Sequence, residues 1–250
     1  MSKIKEVDLS NVNLDNVCLH FTQASNIDSI FTVGLEPRIG EHSKGIEHKK
    51  KSYFVIGADG ALEICNVWIK WLIYKIMRRE YTKASSPQEY QERLNQFFDD
   101  FATGAFFKDE DVKSRAFDQF YEFLSDRRYL VLDLEEGVDY SLTDEDEAKQ
   151  SPRIDVLKML YGDIDTSDEK RYAMERWNMQ TKENLTIPSE KIRLLHDQDE
   201  YSALHIMRTL YDRQMKSESD LKIEMLDEFI RYVDSREKEL LDQEADSVTV

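Results

Sequence analysis

The stretch Leu19-His20-Phe21-Thr22-Gln23-Ala24-Ser25-Asn26-Ile27-Asp28-Ser29-Ile30-Phe31-Thr32-Val33-Gly34-Leu35 decides the reading of the fold. Its first residues belong to an alternating run from Asn16 to Thr22, which predicts a strand. Val17, Leu19 and Phe21 share one face of it, and Cys18, His20 and Thr22 the other. Ser25, with Asp28 three residues on, forms a capping-box pattern, and Ile27, Ile30 and Phe31 supply the apolar stripe of a short helix. Gly34 ends that helix, and Pro37 keeps it from resuming.

Outward from this unit, residues 38–51 read as a polar loop, Ser52 to Ile56 as a second strand, and Gly57-Ala58-Asp59-Gly60 as a turn. Ala61 to about Glu80 is a strong helix, mostly apolar apart from Glu63, Asn66 and Lys70, and so largely buried. Ser86-Pro87-Gln88-Glu89 starts another helix toward Phe101, with proline at its first position. A further helix covers Val112 to Ser125, and a strand Tyr129 to Leu134. Residues 139–150 are acidic and read as a mobile loop. Short helices follow from Ser151 to Tyr161 and from Thr166 or Ser167 to Met174. Trp177 to Thr181 and Lys191 to Leu195 look like strands paired with each other. Two helices close the chain, Tyr201 to Met215 and one from about Leu221, with fraying after Gln243.

Strands early, helices in the middle, strands again and then helices make an α+β protein rather than an alternating parallel sheet. The length of 250 residues suits one domain with an elaborate insertion. Twelve Phe, twelve Tyr and three Trp argue for packed structure through most of it. No GxGxxG or phosphate-loop pattern supports either common nucleotide fold. Two cysteines, Cys18 and Cys65, sit among apolar residues and read as reduced buried thiols. No cysteine spacing suggests zinc, and no metal site is expected. The formal net charge of −17 removes the general attraction to phosphate backbones and anionic lipid, so nucleic acid and membrane are disfavoured as partners. The N-terminal residues show no apolar signal segment, and the greasiest run, Val67 to Met77, is too short to span a bilayer. A cytosolic protein is expected.

His20, Thr22, Asn26, Ile30, Gly34 and Leu35 resemble the first motif of the ADP-ribosyltransferase superfamily, in the branch that includes diphtheria toxin and the poly(ADP-ribose) polymerases. There a strand delivers a histidine, a hydroxyl residue follows two positions later, and a short helix ends in Gly-Leu. Lys51-Ser52-Tyr53-Phe54-Val55-Ile56-Gly57-Ala58-Asp59-Gly60-Ala61-Leu62 is similar to the second motif, a strand with Tyr-Phe followed by a turn and a helix. The third motif is a glutamate on a late strand, and Trp177 to Thr181 is the strand in its place. Gln180 is the candidate there, with Asn178 and Glu175 behind it and Glu183 if the strand runs longer.

The resemblance covers about the first eighty residues and a stretch near 175–195. It implies a split-sheet ADP-ribosyltransferase-like core over about 12–80 and 129–200, a helical insertion over about 81–128, and C-terminal helices over 201–243, all in one domain. NAD is the implied substrate, bound in a cleft between two sheets. His20 and Tyr53 would clasp it, His20 donating to the nicotinamide-side ribose and Tyr53 stacking on the nicotinamide. Thr22 would place a hydroxyl nearby, and Phe21 a backbone contact. Gln180, with His20, would serve the chemistry. The implied activity is mono-ADP-ribosylation of an acceptor, either a protein or a small molecule. The alternative is a weak or inactive NAD- or ADP-ribose-binding or protein-interaction module on the same fold, because glutamine lacks the charge of the usual glutamate. Taken alone, His20 and Tyr53 are ordinary strand residues, His205 with Arg208 and Asp212 a polar helix face, and His42 and His48 solvated loop residues.

Overall fold

A computed structural model describes residues 4–37, 51–140, 179–215 and 223–248. The helices expected over 151–161 and 166–174, the loop beyond Tyr140, and His42, His48, Glu175 and Asn178 lie outside the described residues.

The alternating run becomes strand β2, Cys18–Gln23, after a short strand β1, Glu6–Asp8. The helix that follows, α1, spans Ile27–Val33. Its start differs from the capping-box expectation. Ser25 lies inside a one-turn 3-10 segment, Ala24–Asn26, and no side chain caps α1. Its end is as the sequence suggests: Gly34 takes φ +92° and donates to Ile30 O. A side chain there would meet Ile187 O at 2.6 Å, so the close approach of the 187 backbone requires glycine.

Strand β3 is Tyr53–Ile56, and helix α2, Gly57–Tyr81, begins directly from it. Helix α3, Pro87–Ala102, is capped by Ser86, whose Oγ accepts from Glu89 N, while the Glu89 carboxylate accepts from Ser85 N just before the cap. Helix α4, Glu110–Ser125, leads into β4, Arg127–Leu132. Strand β5 is described over Met179–Gln180, and β6 is Ile192–His196. Helices α5, Ala203–Met215, and α6, Glu224–Val248, finish the chain, with α6 continuing past Gln243.

The strands form a six-stranded sheet in the order β1-β6-β4-β2-β3-β5. Among the described residues, β1 with β6 is the one parallel strand pair, and the other strand pairs are antiparallel. The sequence suggests that the two late strands pair with each other, and they do not. β5 pairs with β3, and β6 lies between β1 and β4. Hydrophobic alternation fixes which face a strand buries but not which neighbour it takes.

Cys18 on β2, Leu130 and Leu132 on β4, and Ile192 and Leu194 on β6 line one face, where Ile27, Ile30 and Phe31 of α1 join them in a single apolar cluster. Alternate residues Leu19, Tyr129 and Val131 are buried outside that cluster, and α5 packs against β4.

Contacts divide the chain into two compact units. One comprises residues 1–64 and 123–220 and holds the sheet; the other comprises 65–122 and 221–250. Helix α5 groups with the sheet, while α6 groups with the middle helices. The helical unit is packed with aromatic rings: Phe97 and Phe106 stack at 5.6 Å, and Phe229 of α6 meets Phe120 of α4 at 5.0 Å. Asn66 of α2 is buried, and its Oδ1 accepts from Met225 N and Leu226 N, capping the first turn of α6.

Candidate functional site

His20, Tyr53 and Gln180 fall on three consecutive strands of the sheet, β2, β3 and β5. The β2–β3 ladder consists of Cys18 opposite Ile56 and Leu19 opposite Val55. At the next level the link between these strands is a side chain: His20 Nδ1 lies 2.6 Å from Tyr53 O. A carbonyl only accepts, so Nδ1 carries the proton in this bond. Burial pushes the His20 pKa down to about 4, so the ring is neutral at pH 7. A neutral ring has one proton, which leaves Nε2 a bare acceptor with no partner among the described residues. His20 Nδ1 is thus spent on the Tyr53 carbonyl, and Nε2 is the ring nitrogen left to face any further partner.

The two rings of the expected clasp do not share a surface. Phe54 joins the cluster on the α1 side of the sheet together with Cys18, and His20 is on Cys18's face of β2. Tyr53 alternates with Phe54 and so turns its half-buried ring to the other side, with Val55. What Tyr53 gives His20 is its carbonyl.

Thr22 is buried, and its Oγ1 accepts a long 3.5 Å bond from Asn26 Nδ2. This ties two residues of the first motif together. Phe21 packs its ring on Tyr129 with centroids 4.0 Å apart. Its backbone groups face the β3 edge of β2, since Val17, on the same alternation, accepts there from Gly57 N.

The backbone of Gln180 stands opposite Tyr53. The described residues of β5, Met179 and Gln180, include no carboxylate. Glu183 does not replace one, because it is exposed in the turn after β5 and bonds only to Asn184. The next residue after Gln180, Thr181, is 1% exposed, and its Oγ1 accepts from Ser52 N while its N–H donates to Ser52 O, both at 3.0 Å. In the sequence Thr181 carries no more signal than a β-branched hydroxyl ending a short apolar alternation.

Other polar groups of the chain are paired as follows. Burial opposes the charge on Asp139, but the Lys191 ammonium at 2.9 Å and the Glu135 N–H hold its carboxyl below the ordinary value. Burial, aided by Asp133 and Asp139, pushes the Cys18 thiol up to about 11, so it is an unreactive thiol at neutral pH. His205, read from sequence as a plain surface histidine, bonds through Nε2 to Asp197 Oδ2 at 3.0 Å, and Thr209 donates to the same oxygen. In the helical unit, α4 and α6 flank a cavity of about 410 Å³. Lys113 in its wall is ion-paired to Glu110 and Glu228, and none of the sequence-derived site residues lines it. Among the described residues there is no group of three metal-ligating side chains, and no helix long and apolar enough to cross a membrane.

No protein-family model matches this chain, and neither does any curated protein or solved structure it was compared with.

Proposed function

We propose that the sheet unit binds NAD beside His20 on an ADP-ribosyltransferase-like core, and that it transfers ADP-ribose slowly to an acceptor, a protein in the first instance. The observation that carries this reading is the state of His20: neutral, oriented by the Tyr53 carbonyl, and offering Nε2 as an acceptor for a ribose hydroxyl. The order of the two motifs and the adjacency of the strands bearing His20, Tyr53 and Gln180 support it. Two free buried cysteines suit the reducing cytosol.

In the reaction, the bond from the ribose C1′ to nicotinamide breaks and the acceptor nucleophile takes its place. Positive charge develops on the sugar as nicotinamide leaves, and a fixed carboxylate stabilises that charge best. Gln180 supplies a dipole in its place, which makes transfer slow. The alternative, an NAD- or ADP-ribose-binding module without turnover, is favoured by glutamine at position 180, where the described residues of β5 offer no carboxylate.

Titration calorimetry with NAD and a nicotinamide-release assay test both readings. Wild type is expected to bind NAD, and His20→Ala to bind at least about tenfold more weakly. Gln180→Glu is expected to raise nicotinamide release at least about tenfold. Tight binding without release in either protein would select the module. A wild-type chain that binds neither NAD nor ADP-ribose would end the proposal.

A further inference from the structure

We propose that Thr181 is a positioning residue for the site, acting through Ser52 and the Tyr53 carbonyl to hold His20 in its Nδ1–H form; its bearing on ligand binding rests on the NAD reading above. Strand β5 is described over Met179–Gln180. Its ladder ends after Tyr53–Gln180. One residue further the chain turns away, with Thr181 bridging to Tyr140 and Lys182 N donating to Asp139 O. There the acceptor for Ser52 N–H is the Thr181 side-chain oxygen in place of a strand carbonyl. Both backbone groups of Ser52 are thereby committed to the β5 edge.

Successive residues of a strand turn their N–H and C=O groups to opposite edges. With Ser52 held toward β5, the Tyr53 carbonyl is turned toward β2, where His20 Nδ1 meets it at 2.6 Å. Ser52 and Thr181 are both buried, so no water substitutes readily for a lost hydroxyl. Removing the hydroxyl leaves Ser52 held to Thr181 only through its carbonyl and its buried N–H without an acceptor, so the peptide between Ser52 and Tyr53 shifts, the Tyr53 carbonyl loses its aim, and the His20 proton is released to either nitrogen. A mixture of tautomers then blunts Nε2 as an acceptor.

The test uses the full chain with ¹⁵N-labelled histidine. The imidazole nitrogen spectrum of wild-type His20 is expected to show the neutral Nδ1–H tautomer. Thr181→Val keeps the shape and removes the hydroxyl; it should give mixed tautomers and weaken NAD binding about tenfold. Thr181→Ser restores the hydroxyl and should restore both. A folded Thr181→Val protein with wild-type His20 signals overturns the inference, and so does a wild-type spectrum lacking the Nδ1–H form. If Thr181→Val does not fold, Thr181→Ser decides, since loss of the Nδ1–H form with the hydroxyl retained also overturns it. A tautomer response as expected, in a chain that binds no NAD, would refute the NAD reading and leave the positioning role standing.

Discussion

At His20 the cost of burying charge meets the need to satisfy a strand carbonyl, and both favour the neutral ring. The folded-state pKa is about 4, against about 6.5 for an unperturbed histidine. The unfolded chain therefore takes up a proton between these values while the folded chain does not. Stability from this group is present in full above about pH 6.5 and is lost as pH falls toward 4. The loss is on the order of 2–3 kcal/mol. Urea denaturation at pH 7 and pH 4.5, for wild type and His20→Gln, isolates it, because the carboxylates titrate in both proteins. Wild type should lose more stability than the variant by about that amount, and equal losses would show that His20 titrates normally. This behaviour was not legible in the sequence. His20 could be placed on a strand and in a motif, but its tautomer depends on a carbonyl 33 residues away.

Among the elements, the β2–α1 unit was the most legible, because its alternation, helical stripe and terminal glycine are all local signals. Gly34 shows how tightly that unit is tied to the rest of the sheet. Leu35 N donates to Ile187 O and Ile187 N to Leu35 O, so the backbone that a new side chain would strike is held by two bonds. Gly34→Ala combines a disfavoured φ with a 2.6 Å contact to Ile187 O. The expected loss is about 3 kcal/mol. Gly137 is the matched control. It has φ +80°, but a side chain there meets nothing within 4 Å, so Gly137→Ala carries only the backbone term. That term is about 1 kcal/mol. Urea midpoints for the two variants should differ accordingly, and equal shifts would mean the Ile187 strand moves aside freely. The same bridge explains an expectation that failed. The segment around Ile187 reaches back to Leu35, and β5 to β3, so the late strands had no need of each other.

Over the whole molecule, the pairings invisible in the sequence are those between distant segments. β1 lies parallel to β6, and Asn66 caps a helix that begins at Glu224. Neither leaves a periodic trace, and Asn66 reads locally as one member of a polar stripe. Net charge, by contrast, is fully legible, and −17 on 250 residues is a large self-repulsion. Ion pairs such as Arg93–Glu89 and Arg115–Glu80 oppose it locally. Surface pairs of this kind contribute only about 0–1 kcal/mol each, and salt screens them too. Repulsion summed over the chain should therefore dominate the response to ionic strength. The Debye length shrinks from about 20 Å at 0.02 M to about 4 Å at 0.5 M. Thermal unfolding in sodium chloride over that range should show Tm rising by several degrees. Chloride is the salt to use, because sulfate would strengthen apolar burial and mimic the effect. A Tm that falls with salt would reverse the balance, making the ion pairs and not the net charge the controlling electrostatic feature of this fold.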